Sequence, residues 1–126
     1  MRKIFLFIFL AATVAACNKS KDPVTVSFPS QYPELPVYHQ PADSSHFFVG
    51  GVVTFEWKAC KDPQGDPVVY DLYIDGNNPY TGLTDNKVLV TVNNYYFTGW
   101  LSWRVVARDN HGNYTEGPYR MFTINY

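Results

Sequence analysis

Val52-Val53-Thr54-Phe55-Glu56-Trp57-Lys58-Ala59 is the stretch on which the reading of the fold turns. Val53, Phe55 and Trp57 alternate with Thr54, Glu56 and Lys58, the two-residue period of a strand with one face buried. Val68–Asp75 (VVYDLYID) repeats the pattern, with Tyr70, Leu72 and Ile74 on one face and Asp71 and Tyr73 on the other. Leu101–Asp109 (LSWRVVARD) points Leu101, Trp103, Val105 and Ala107 inward and Arg104 and Arg108 outward. Ten tyrosines and nine phenylalanines, with many valines, suit pleated, half-buried surfaces. Beyond the first residues no segment has a helical period.

Turn residues separate these runs. Leu35–Gln40, flanked by prolines, reads as an edge strand, where a missing N–H is tolerated. Pro41–Gly51 reads as a turn-rich connection, Lys61–Pro67 (KDPQGDP) as a tight polar loop and Gly76–Asn86 as a long loop. Lys87–Val92 and Tyr95–Thr98 read as short strands around Asn93-Asn94, a pair that tolerates positive φ. Asn110–Gly117 reads as a hairpin loop and Tyr119–Tyr126 as the closing strand. Turn signals this regular predict an all-β, seven-stranded antiparallel β-sandwich over residues 35–126.

In this order the runs resemble a fibronectin type III domain. The matching pieces are Val53-x-Phe55-x-Trp57, Tyr70-x-Leu72-x-Ile74, Trp103–Asn110 running into His111-Gly112-Asn113, and Gly117-Pro118. Asp62-Pro63-Gln64-Gly65-Asp66 matches a loop common in bacterial members. One position departs from the pattern. Members usually place a tyrosine two residues before the aromatic of the long strand, bonding back to the corner; here that residue is Leu101. The corner bond is then absent, or supplied by another group such as Tyr95 or Tyr96.

The N-terminus is of another kind. Met1-Arg2-Lys3 is followed by 13 uncharged residues, Ile4–Ala16 (IFLFIFLAATVAA). This is the layout of an export signal, and it falls short of the roughly 20 apolar residues a bilayer span takes. The run ends Val14-Ala15-Ala16-Cys17, which resembles the lipobox of bacterial lipoproteins. The resemblance implies cleavage after residue 16, diacylglycerol on the Cys17 thiol and an acyl chain such as palmitate on its new amine. Two or more chains anchor stably where one holds only marginally. Ordinary secretion, with Cys17 left unmodified, is the alternative. Residues 1–16 are thus a signal, and 17–34, polar and dotted with proline, a tether. Fully extended, its 17 residues after Cys17 reach about 55 Å. Asn18 is not the Asp that would suggest inner-membrane retention, so an outer-membrane location is favoured.

Loss of Arg2 and Lys3 with the signal takes Lys+Arg from 10 to 8 against 11 Asp+Glu, and the formal charge from −1 to −3. A mildly acidic, unpatterned balance argues against nucleic acid as a partner. Cys60 is the only other cysteine. With Cys17 lipidated it has no disulfide partner, and it reads as a small residue at least half buried.

No enzyme chemistry is legible. His39, His46 and His111 are scattered, and neither a nucleophile motif nor a phosphate loop is present. In a sandwich of this kind Asp62, Asp66 and Asp109 fall at one end. They are candidate Ca²⁺ ligands, although turn aspartates that bond their own backbone are the commoner use. Trp100 and Tyr114 are the candidate ligand-binding aromatics, suited to stacking on a glycan or anchoring a protein partner. The expected function is a membrane-anchored, non-catalytic interaction module; a glycan-binding lipoprotein of a polysaccharide-uptake system is the alternative.

Overall fold

A computed structural model describes residues 30–93 and 99–126. Cys17, the signal, most of the tether and the expected strand Tyr95–Thr98 lie outside them. No helix is found among the described residues; they form two facing sheets. The first contains β1 (Tyr38–Gln40), β3 (Val52–Trp57) and β6 (Lys87–Thr91), in the order β1-β3-β6. The second runs β2-β9-β7-β4-β5, with β8 also paired to β7. Its strands are β2 (Ser45–Phe48), β4 (Val69–Ile74), β5 (Asn77–Leu83), β7 (Gly99–Arg108), β8 (Tyr114–Glu116) and β9 (Arg120–Asn125).

The alternation read from the sequence sets the core. Val53, Phe55 and Trp57 of β3 face Tyr70, Leu72 and Ile74 of β4, Leu101, Trp103 and Val105 of β7, and Phe122 and Ile124 of β9, all buried. Phe55 meets Trp103 and Phe122 edge-on, with ring centroids 5.0 and 5.8 Å apart. Edge-to-face packing is the arrangement aromatic quadrupoles favour.

The sandwich departs from the expectation in two ways. The described residues hold nine strands: six of the seven expected, and β2, β5 and β8, which form inside stretches expected to be loops; the seventh expected strand, Tyr95–Thr98, lies outside the described residues. The sandwich is also not wholly antiparallel: β2 runs parallel to β9, with Ser45 beside Phe122 and Phe48 beside Asn125. Neither is visible in a two-residue period. β2 and β5 lie at sheet edges, and β5 pairs with β4 through register shifts. β8 is three residues that extend the β7 ladder.

The ordered contacts also begin ahead of Leu35, the expected domain boundary. Pro33 is buried and its carbonyl accepts a hydrogen bond from Thr115 Oγ1 at 2.6 Å. Glu34 exchanges bonds with Lys61, its N–H donating to the Lys61 carbonyl at 2.9 Å and its carboxylate accepting the Lys61 N–H at 3.1 Å. Gln64 Nε2 donates to the Ser30 carbonyl. The end of the expected tether is therefore stitched to the loops at one tip of the sandwich.

Along β7 the neighbouring strand changes. Gly99–Trp103 pair with β9 and Val106–Arg108 with β8, while Gly117-Pro118-Tyr119 breaks the ladder between them. Val105 would be left with unpaired polar groups, which burial makes costly. Its carbonyl accepts the Gly117 N–H at 2.8 Å, and its N–H donates to the Tyr38 hydroxyl at 2.9 Å. Gly117 has to be glycine, since a Cβ there would stand 2.1 Å from the Tyr38 hydroxyl and 2.9 Å from the Val105 carbonyl oxygen. Leu101, at the corner-tyrosine position, is simply core, 3% exposed. Tyr95 and Tyr96 lie outside the described residues.

Candidate functional site

The candidate residues separate into two groups at opposite ends of β7. The first is the tip formed by the 61–67 and 109–113 loops. Asp62 is buried, and its Oδ1 accepts the N–H groups of Gln64 (2.8 Å) and Asp66 (3.3 Å). Asp109 does the same in its own loop: Oδ1 accepts the N–H groups of His111 (2.8 Å) and Asn113 (2.9 Å), and Oδ2 accepts Asn113 Nδ2 (2.6 Å). Burial pushes the Asp109 carboxyl up, but these donors outweigh it and hold the group below its ordinary value. Both aspartates brace turns, the ordinary use of Asp beside Pro and Gly.

Asp66 is different. Its Oδ2 lies 3.0 Å from His111 Nδ1. Potential ligand atoms of Asp66, Asp109 and His111 fall within 4.8 Å of one another. Asp62 is outside that group, so the structure gathers two of the three expected aspartates and adds a histidine that sequence spacing could not connect to them. Two carboxylates and an imidazole are not the all-oxygen cage of six to eight ligands that Ca²⁺ takes. Asp109 would also have to surrender bonds that hold its turn.

Tyr114 lies near the same tip, opposite Arg108 in the β7–β8 ladder and 55% exposed. Trp100 is 57% exposed but belongs to the other end, eight residues back along β7. At strand rise that is about 27 Å. The two aromatics cannot contribute to one small-ligand site.

Around Trp100 the outer face of the second sheet is built from register. Trp100 lies across from Thr123, and Thr123 from His46. Thr123 is buried beneath the two rings, whose centroids are 6.1 Å apart, and its hydroxyl pairs with His46 Nδ1 at 3.0 Å. In the next row, Ser102 lies across from Met121. Asp43 Oδ1 accepts the Met121 N–H on one side, and the Asp75 N–H donates to the Ser102 carbonyl on the other. Both aspartates are exposed. Sequence reading found Trp100 because an aromatic beside a turn stood out. It missed His46, Asp43 and Asp75, which only strand pairing brings there.

Farther along the same face the polar groups are already matched. Arg104 pairs with Glu116 and lies over the rings of Tyr73 and Tyr119, 5.4 and 4.9 Å from their centroids. Arg108 grips Asp71 through two bonds of 2.6 and 2.9 Å. This pair lets Asp71, which sequence reading put on the outer face, be buried there. Cys60 is half buried, and burial pushes its thiol up to about 11, which disfavours the reactive thiolate.

Comparison with known proteins agrees with both parts of the chain. Residues 1–18 match the family described as prokaryotic membrane lipoprotein lipid attachment site. No significant relative is found among curated proteins. Among solved structures, the fold is similar to the fibronectin(III)-like modules of Clostridium thermocellum CbhA. The TM-score is 0.55 at 15% identity, over 71% of this chain and 94% of that one. It is also similar to the PKD domain of an M14-like peptidase from a Thermoplasmatales archaeon. There the TM-score is 0.54 at 17% identity, over 75% and 96% of the two chains. The chain thus carries a lipid attachment site at its N-terminus and a fibronectin type III-like β-sandwich after it, which makes it a lipid-anchored protein of the cell envelope.

Proposed function

We propose that this protein is a non-catalytic binding module, held at the membrane by lipid on Cys17 and presenting the Trp100 end of the sandwich to a partner. The observation that carries the reading is where the chain enters the domain. Ser30, Pro33 and Glu34 bond to Gln64, Thr115 and Lys61, at the tip opposite Trp100. Thirteen residue steps separate Cys17 from Ser30, so that tip can stand no more than about 45 Å from the anchor. The Trp100 end can stand about 27 Å farther out. The tip that holds Asp109 and His111 is braced internally, whereas Trp100 is open. An outer-membrane location, suggested by Asn18, belongs to the same proposal.

The test is site-specific photocross-linking in intact cells, with the reactive group at position 100 or at position 112. Adducts are expected from position 100 and not from 112, and only while Cys17 is present. Equal yields at both positions, or adducts undiminished in Cys17→Ala, would sink the reading.

A further inference from the structure

We propose that the face around Trp100 binds a neutral oligosaccharide. This rests on the reading of the Trp100 end as the binding end. The occupant follows from the chemistry of two adjacent rows. Trp100 offers an exposed indole on a three-stranded stretch of sheet, with Thr123 and His46 completing its row. Aromatic faces of this kind receive the C–H face of a sugar ring, because the ring's negative quadrupole meets weakly positive hydrogens.

The adjacent row supplies polar groups at the distance of one strand to either side. Ser102 can donate or accept, and the Asp75 carboxylate and the Asp43 oxygen not bonded to the Met121 N–H can accept from sugar hydroxyls. Asp75 holds its place in a tight turn with φ of 49° and is exposed. His46 engages one ring nitrogen with Thr123, and among the described residues its Nε2 makes no hydrogen bond.

Charge decides against the other occupants. Neither row contains a lysine or arginine, and both charged groups present are carboxylates. An anionic glycan or an anionic lipid headgroup would be repelled. The lipid surface is excluded by position as well, because the anchor enters at the far tip. A hydrophobic protein partner would leave Asp43 and Asp75 desolvated without a counter-charge, which is costly. A neutral saccharide meets aromatic, hydroxyl and carboxylate at once.

The test uses the full mature lipoprotein in detergent micelles. Of its three tryptophans, Trp57 and Trp103 are fully buried, so acrylamide quenching of tryptophan fluorescence reports on Trp100. The probes are α- and β-linked neutral hexose and pentose oligomers, with an oligogalacturonide as the anionic control. At least one neutral oligomer is expected to protect Trp100 from quenching, and the anionic control is not. By calorimetry, Trp100→Ala should weaken that oligomer about tenfold or more, and Trp100→Phe by less. Asp75→Asn, which keeps a side chain tolerant of positive φ, should weaken it while leaving the fold intact.

No protection by any neutral oligomer up to roughly 10 mM would overturn the proposal. So would equal protection by the oligogalacturonide, or calorimetric affinity unchanged in Trp100→Ala. Protection that appears on raising the protein concentration without sugar would identify a second copy as the occupant, and overturn it too. These results leave the cross-linking pattern at positions 100 and 112 untouched, so the binding-end reading and the saccharide reading fail separately.

Discussion

At Arg108–Asn113 the long strand β7 runs into a turn whose polar atoms are bonded to one another. At Gly99–Ser102 the same strand carries an indole into solvent over a buried threonine. Both ends have an aromatic, a histidine and aspartates close by, two at the Trp100 end and three at the other, so residue types alone do not distinguish them. What differs is where the acceptors are directed. Asp109 takes two backbone N–H groups and an amide, and Asp62 two backbone N–H groups. Asp43 gives one oxygen to the Met121 N–H but remains exposed, as does Asp75. A cluster of polar residues suggests recognition only after the bonds that hold the fold have been subtracted.

Three substitutions bear on this comparison. The largest effect belongs to the junction between the two halves of β7. Gly117→Ala should destabilise the domain by about 3 kcal/mol, through overpacking against Tyr38 and loss of a bond to Val105. Chemical denaturation measures it; a change below about 0.5 kcal/mol would mean that the junction tolerates the extra carbon.

Asp109→Ala should come next, because three donors lose their acceptor together. Its effect should also depend on pH. The folded carboxyl sits below the ordinary 3.8, so it contributes stability above that value and loses the contribution as pH falls through the folded value. Melting curves of the wild type and the variant should therefore lie well apart at neutral pH and converge in acid. A constant separation down to pH about 2 would show that the carboxylate charge is not what braces the tip.

The smallest effect is expected at the open end. Trp100→Ala should move stability by no more than about 0.5 kcal/mol, as for an exposed residue with few partners. A loss of about 2 kcal/mol would make the indole a lid on Thr123, and so part of the fold.

Much of the architecture was legible because β3, β4 and β7 each direct a row of apolar residues to the core, and a two-residue period records that directly. β2 and β5 were not, for different reasons. Ser45-His46-Phe47-Phe48 sits among turn residues, and its partner is 77 positions away for His46 and Thr123. Asn77–Leu83 carries glycine and proline, and Gly82 adopts a φ of 62°. The turn roles of Asp62 and Asp109 were readable from neighbouring Pro and Gly. The meeting of Asp66 with His111, and of His46 with Trp100, required the pairing of distant strands. Gly117 was read as part of a motif, but the reason for it, the hydroxyl of Tyr38, is 79 residues away in the chain.

The position of β9 has a consequence for how the protein is made. This strand lies between β2 and β7, and every residue it pairs with precedes it in the chain. The second sheet cannot close until residues 120–125 are free to insert. A chain led out by a signal crosses the membrane N-terminus first. Its sheet would therefore stay open during transit, and assembly would wait for the far side. These are non-local contacts, whose formation is intrinsically slow.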